Sequence, residues 1–248
     1  MKTNLAWLTA RPIAHRGLHN AAAGVIENTA SAFRAAIESN YSIETDVQIS
    51  ADGEAMVHHD DALGRLTEGH TALAQMSAAE IRSAKFKATG DRILALPELL
   101  QLVDARVPVV IELKSHFNGD TRLAVRVAEV LAGYRGPAAV MSFDPPLIEH
   151  IRVIAPNLSR GIVAERHYAH HEWDRLSRAE KIRLAFLLHA PSTRPHFIAY
   201  SGRDLPALAP GAARAIGLPL LTWTIRSATE RSRVLRFADQ VIFEGFLP

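Results

Sequence analysis

Ser42-Ile43-Glu44-Thr45-Asp46-Val47-Gln48-Ile49 is a short apolar, β-branched segment interrupted by two acids. Residues i and i+2 of a strand project to the same side, so Glu44 and Asp46 share one pocket. Carboxylates inside an otherwise apolar strand are costly unless paired or bound to a metal. Two like charges side by side need a cation between them, or one must take a proton. Segments of the same character recur at Pro12–His15, Val107–Leu113, Ala138–Phe143, Arg160–Ala164, Phe197–Tyr200, Leu220–Ile225 and Gln240–Phe243, eight in all.

Helix-like stretches fall between most of these segments. Asn28–Ser39 carries Ala30, Phe33, Ala36 and Ile37 at helical spacing. Leu96–Val103 has Pro97 in its first turn, and Leu123–Leu131 runs to a capping Gly133. Ser77 with Glu80, Ser177 with Glu180, and Ser227 with Glu230 have capping-box spacing and mark further helix starts. Buried strands alternating with helices imply a parallel α/β sheet, and eight units allow closure into a (β/α)8 TIM barrel. An open doubly wound sheet is disfavoured, because no G-x-G-x-x-G follows the first strand. Asp52-Gly53 reads as a tight turn that folds Glu54–His58 back as an extra strand. Residues 60–92 then form a small insertion between barrel strands 2 and 3.

Composition narrows the class. The chain has 248 residues, 48% of them hydrophobic and 22% charged, which suits one globular domain over 1–248 and excludes disorder as the main state. The formal charge is +2, with Lys and Arg scattered among acids, so nucleic acid is not an expected partner. The absence of cysteine excludes disulfides, a thiolate nucleophile and Cys-ligated metal sites. No apolar run approaches the roughly 18 residues that span a bilayer. Met1–Pro12 lacks the apolar stretch of a signal peptide, so a cytoplasmic location is expected.

A barrel gathers its strand C-termini on one face, where active sites are built. Polar residues fall at those ends: His15-Arg16-Gly17 after the first strand, Glu44 and Asp46 on the second, and Glu112 and Lys114 on the third. Ser142, Tyr200, Trp223 and Glu244 follow on later strands. Glu112 added to Glu44 and Asp46 makes a three-oxygen site suited to a hard divalent ion such as Mg²⁺ or Ca²⁺. His15 and His59 are candidate proton carriers near pH 7. Arg16 and Lys114 are candidates to hold a phosphate. A cation, an anion clamp and two imidazoles point to hydrolysis of a phosphate ester. His58 and its neighbour His59 face opposite ways on a strand, so one of them is structural.

In order along the chain stand Ala14-His15-Arg16-Gly17, Glu27-Asn28-Thr29, Glu44-x-Asp46, His59-Asp60 with Arg65, Leu96-Pro97-Glu98, Glu112-x-Lys114, Ser142-Phe143-Asp144 and Trp223-Thr224. This series resembles the glycerophosphodiester phosphodiesterase family over nearly the whole chain. The resemblance implies a TIM barrel with one divalent metal ion, cleaving a small glycerophosphodiester to sn-glycerol 3-phosphate and an alcohol. It implies His15 and His59 as acid and base, and Glu44, Asp46 and Glu112 as metal ligands. Alternatives are a related two-histidine phospholipase, of the phospholipase C or sphingomyelinase D type, and a non-catalytic barrel that binds a phosphorylated metabolite.

The chain departs from the family pattern in three places. Arg226 stands where the family commonly has Asn, and Phe243-Glu244 stands where it usually has Thr-Asp or Thr-Asn. Residues 165–196, with His167, His170, His171 and His189, match nothing in the pattern, and the histidine-rich run reads as a surface loop. Trp223 is expected as an apolar wall for the substrate. The Arg226 guanidinium would either draw anionic leaving groups to the mouth or pair with Glu230 one turn on. Nothing in the sequence specifies the oligomeric state.

Overall fold

The computed structural model describes residues 5–248, apart from the side chain of His171. The first residues of the Met1–Pro12 stretch, on which the signal-peptide reading rests, lie outside the described residues, as does the His171 side chain within the histidine-rich run. The chain begins with α1 (Ala6–Thr9), β1 (Ile13–Ala14), α2 (Ala30–Glu38), β2 (Ser42–Ile49) and β3 (Ala55–Val57). It continues with α3 (Ala78–Ser83), α4 (Leu96–Val103), β4 (Val109–Leu113), α5 (Arg122–Ala132), β5 (Ala138–Ser142), α6 (Pro145–Ile154) and β6 (Ser159–Ala164). The last third holds α7 (Arg178–Ala185), α8 (Ala190–Thr193), β7 (Phe197–Ser201), α9 (Leu208–Ala215), β8 (Leu220–Ile225), α10 (Ala228–Val234) and β9 (Gln240–Phe243).

The parallel strands run in the order β1-β9-β8-β7-β6-β5-β4-β2, and β1 pairs with β2 to close an eight-stranded barrel. All eight expected segments are barrel strands. The Asp52-Gly53 turn sends β3 back antiparallel on β2, with Val47 opposite Val57 and Ile49 opposite Ala55. Gly53 sits at φ 86°, a conformation that a side chain disfavours.

Period two sorts each strand. Ile43, Val47, Val109, Ile111 and Leu113 face outward and pack on α2, α4 and α5. Ile13, Val110, Ala139, Met141, Val163, Ala199, Leu221 and Ile242 face inward with Phe197, and Leu8 of α1 packs against this set. Gly161 leaves the room that the Phe197 ring fills, since a Cβ there would lie 2.4 Å from the ring.

The inserted residues have a core of their own, in which Leu63, Leu73, Ile81 and Phe86 pack on Met56, Ile93 and Ile26. Ser77 and Ser177 close full capping boxes. The third box forms only in half: Ser227 accepts from Glu230 N, while the Glu230 carboxylate accepts from Arg226 N, one residue earlier. Among the described residues no helix is long and apolar enough to cross a membrane.

Candidate functional site

Extending the inner row of each strand by two residues predicts what lines the mouth. Past Ile13 comes His15, past Val110 come Glu112 and then Lys114, and past Met141 comes Phe143. Past Val163, Leu221 and Ile242 come Glu165, Trp223 and Glu244. The residues His15, Arg16, Glu44, His59, Glu112, Lys114, Trp223 and Arg226 all line one cavity of about 410 Å³. Asp46 lies buried beneath it, and an adjoining cavity of about 290 Å³ shares His59, Glu112 and Lys114. A larger groove of about 570 Å³ lies at the other end of the barrel, where Arg214 and Asp239 pair.

Tyr200 is a correction to the expected mouth residues. It faces outward with Ile198, is 1% exposed, and donates its hydroxyl to Ala185 O. Ser142 is buried, donating to Leu113 O and accepting from Asp144 N, yet it lines the adjoining 290 Å³ cavity as expected of a mouth residue.

Glu44, Asp46 and Glu112 bring carboxylate oxygens within 4.8 Å of one another. Register explains this, because Asp46 sits directly opposite Glu112 on adjacent strands. Asp46 accepts from Asn28 Nδ2 at 2.9 Å, pairs with Lys114 Nζ at 3.0 Å, and has Arg16 Nε at 3.2 Å. Lys114 also donates to Glu112 at 2.7 Å. Burial alone would raise the Asp46 pKa, but Lys114 and Arg16 outweigh it and hold the carboxyl well below the usual range. Burial would lower the Lys114 pKa, yet Asp46 and Glu112 raise it instead.

Glu44 stands apart. It is 1% exposed and accepts the backbone N–H of Arg16 at 3.0 Å, but makes no salt bridge to a Lys or Arg among the described residues. Burial, followed by the charges of Asp46 and Glu112, pushes it well above the usual carboxylate range. Three carboxylates against two cations leave one negative charge in excess, and a small divalent cation fits both the all-oxygen donor set and that deficit.

Each imidazole is braced by its own carboxylate. His15 Nδ1 lies 2.5 Å from Glu244 Oε2, with Nε2 turned toward Glu44 at 3.9 Å. Burial lowers the His15 pKa despite Glu244, whereas His15, His19 and Arg226 hold the Glu244 carboxyl far below its ordinary range against burial. His59 Nδ1 lies 2.8 Å from Asp60, which in turn accepts from Arg65 at 2.7 Å. His58 is 2% exposed, while His59 lines both cavities. His15, His19 and Glu244 also gather three potential ligand atoms. The charge of Glu244 is already met by Arg226 at 2.6 Å, so that cluster lacks the deficit seen at Glu44.

Arg16 bonds Glu27 at 2.6 Å, and its backbone lies in the left-handed region at φ 53°. Gly17 follows at φ 78°, where a Cβ would lie 2.9 Å from Ala32. Such backbone strain gathers at functional sites. The Trp223 indole N–H is buried without a partner among the described residues. The Arg226 guanidinium lines the cavity and is tied to Glu244 rather than to Glu230, which accepts only the Arg226 backbone N–H.

Glu244 stands at the mouth as expected, but its role as the brace of His15 is not legible in the sequence. Two residues escape sequence reading as site groups: Glu165 carries a usable signal, the inner-face period running on past Val163. Trp173 carries none, because the irregular segment 165–196 brings it to the mouth.

The sequence profile of the Glycerophosphoryl diester phosphodiesterase family matches residues 15–244. A glycerophosphodiester phosphodiesterase of Caldanaerobacter subterraneus subsp. tengcongensis is 27% identical over 90% of this chain and 89% of its own. An Oleispira antarctica phosphodiesterase, solved in complex with the product sn-glycerol-3-phosphate, superposes with a TM-score of 0.78 at 19% identity, covering 96% of this chain and 94% of that one. A glycerophosphodiester phosphodiesterase from Thermotoga maritima gives 0.70 at 22% identity over 93% and 92%. At these identities the two structures show the fold.

Proposed function

Because the chain belongs to the glycerophosphoryl diester phosphodiesterase family, we propose that it acts as one catalytic domain converting a glycerophosphodiester into sn-glycerol 3-phosphate and an alcohol. The observation that carries this reading is the meeting of two carboxylate-braced imidazoles with three buried carboxylates at one barrel mouth.

Glu44, Asp46 and Glu112 would hold one Mg²⁺ or Ca²⁺, which when bound polarises the phosphoryl oxygen and offsets transition-state charge. Arg16 and Lys114 add positive charge beside the phosphate. His15 and His59 divide the proton work. One takes the proton of the attacking hydroxyl as the new O–P bond forms; water attacking gives glycerol 3-phosphate directly, whereas the glycerol C2 hydroxyl gives a cyclic phosphate that water then opens. The other gives a proton to the departing alkoxide as the old P–O bond breaks. Nε2 is the working atom in both, since Glu244 and Asp60 each engage Nδ1. Trp223 walls the cavity. The unbroken set of imidazoles and carboxylates favours catalysis over mere binding of a phosphorylated metabolite.

The test is release of glycerol 3-phosphate from glycerophosphocholine with and without EDTA. Release that EDTA stops and Mg²⁺ or Ca²⁺ restores is the expected result, and Asp46→Asn should lose most of it, with excess metal rescuing only in part. No release under any metal overturns the activity, and full release in EDTA removes the metal from it.

A further inference from the structure

Segment 165–196 has no counterpart in the motifs that define the catalytic end, yet it builds one side of the same cavity. Its residues Tyr168, Trp173, Leu176, Leu184 and Ala185 form a compact cluster against Phe117 and Phe143. That packing sets Trp173 beside Phe143 with ring centroids 4.7 Å apart, and Phe143 meets Trp223 edge-on at 5.5 Å. All three rings line the 410 Å³ cavity that also holds His15, Arg16 and Lys114.

Glu165 stands in the same wall, two residues past Val163 on the inward row of β6. It is half-buried, lies within hydrogen-bonding reach of the Trp173 indole N–H, and makes no salt bridge among the described residues. Burial holds its pKa above the ordinary value; the Trp173 N–H and His170, which lines the same cavity, act against this, while Asp204 and Glu172 add to it. The positive groups of this rim are placed differently. Arg226 is committed to Glu244, and Arg203 lies exposed to solvent, where its field is screened.

Aromatic faces around a partly desolvated carboxylate that no Lys or Arg pairs among the described residues are the chemistry of ammonium recognition: ring quadrupoles attract the cation and the carboxylate supplies the charge. We propose that Glu165, with Phe143, Trp173 and Trp223, forms a leaving-group subsite that selects glycerophosphodiesters whose alcohol carries an ammonium group. The inference rests on the phosphodiester hydrolysis proposed above. With the phosphate beside His15, Arg16 and Lys114, the leaving alcohol extends along the wall that these rings form. The free charge deepest in that wall is negative, so the wall favours a cation over the anionic alcohols that Arg226 alone would attract.

The experiment compares kcat/KM for glycerophosphocholine and glycerophosphoglycerol, which differ in the charge of the leaving alcohol. The wild type should prefer the choline substrate, with a preference that shrinks as salt is raised. Glu165→Gln keeps shape and removes charge, and should lower the choline-to-glycerol ratio about 5- to 20-fold, the scale of one partly desolvated cation site. Trp173→Leu should lower it in the same direction, with circular dichroism confirming a folded barrel. A wild type without preference, or a ratio unchanged in Glu165→Gln, overturns the subsite while leaving the phosphodiesterase reading intact. Failure to turn over either substrate overturns both.

Discussion

His15 and His59 are the residues whose chemistry is most exposed to test. A neutral imidazole engaged at Nδ1 by a carboxylate keeps one tautomer and one ring orientation, leaving Nε2 to accept or deliver a proton. His15 has Glu244 for this purpose, and His59 has Asp60 steadied by Arg65. Replacing either imidazole by Ala should lower kcat at least about 10²-fold, the scale of one acid–base group. Metal binding, read by calorimetry, should persist in both variants, because neither imidazole belongs to the carboxylate triad. The pH–rate curve should be bell-shaped in the wild type and lose a different limb in each variant. Near-wild-type kcat in both would remove the two-histidine mechanism.

At the scale of elements, the network Arg16–Glu27–Arg65–Asp60 joins the turn after β1, the start of α2 and the inserted residues. The loop between β1 and α2 is held to the insertion by these charges and by Ile26, which packs in the insertion's apolar core together with Met56 of β3. Burial opposes ionisation of Glu27, but Arg65 and Arg16 overcome it and set its pKa at about 2, below the ordinary 4.5. A carboxyl depressed on folding adds stability that is complete above its unfolded pKa and disappears as the pH falls through the folded one. Glu27→Gln should therefore cost about 1–2 kcal/mol at pH 7, after allowance for the half-exposed Arg65, and much less near pH 2. Urea unfolding of both proteins across pH 7 to 2 measures this. Parallel stability curves would assign Glu27 no part in holding the two elements together.

For the molecule as a whole, the barrel interior is a packed core that supports the mouth from beneath. Phe197 fills the space opposite Gly161, and Met141, Val163 and Leu221 complete the filling. Gly161→Ala would place a methyl within 2.4 Å of a ring that has nowhere to go. Overpacking of this kind typically costs about 1–3 kcal/mol. The variant should show a lower Tm, and the double variant Gly161→Ala/Phe197→Leu should regain part of the loss by giving the methyl room. An unchanged Tm in Gly161→Ala would mean that the barrel interior yields more easily than close packing allows.

What local periodicity encodes was legible in the sequence. The eight barrel strands, the returning strand after Asp52-Gly53 and the shared side of Glu44 and Asp46 all follow from two-residue and 3.6-residue patterns. His58 and His59 both lie past the end of β3, and it is the tertiary packing that buries His58 and leaves His59 at the mouth. Closure of the barrel decided the rest. His15 and Glu244 lie 229 residues apart and meet because β9 pairs with β1, a contact that no local pattern carries. Local spacing offers the Arg226 guanidinium Glu230 one turn on, but the same closure brings it to Glu244 instead. Trp173 sits in an irregular segment without period, so its place at the mouth depends on packing against Phe117 and Phe143. Periodicity tells which way a side chain points along its own strand. Only the closed ring of strands determines which distant side chain it faces.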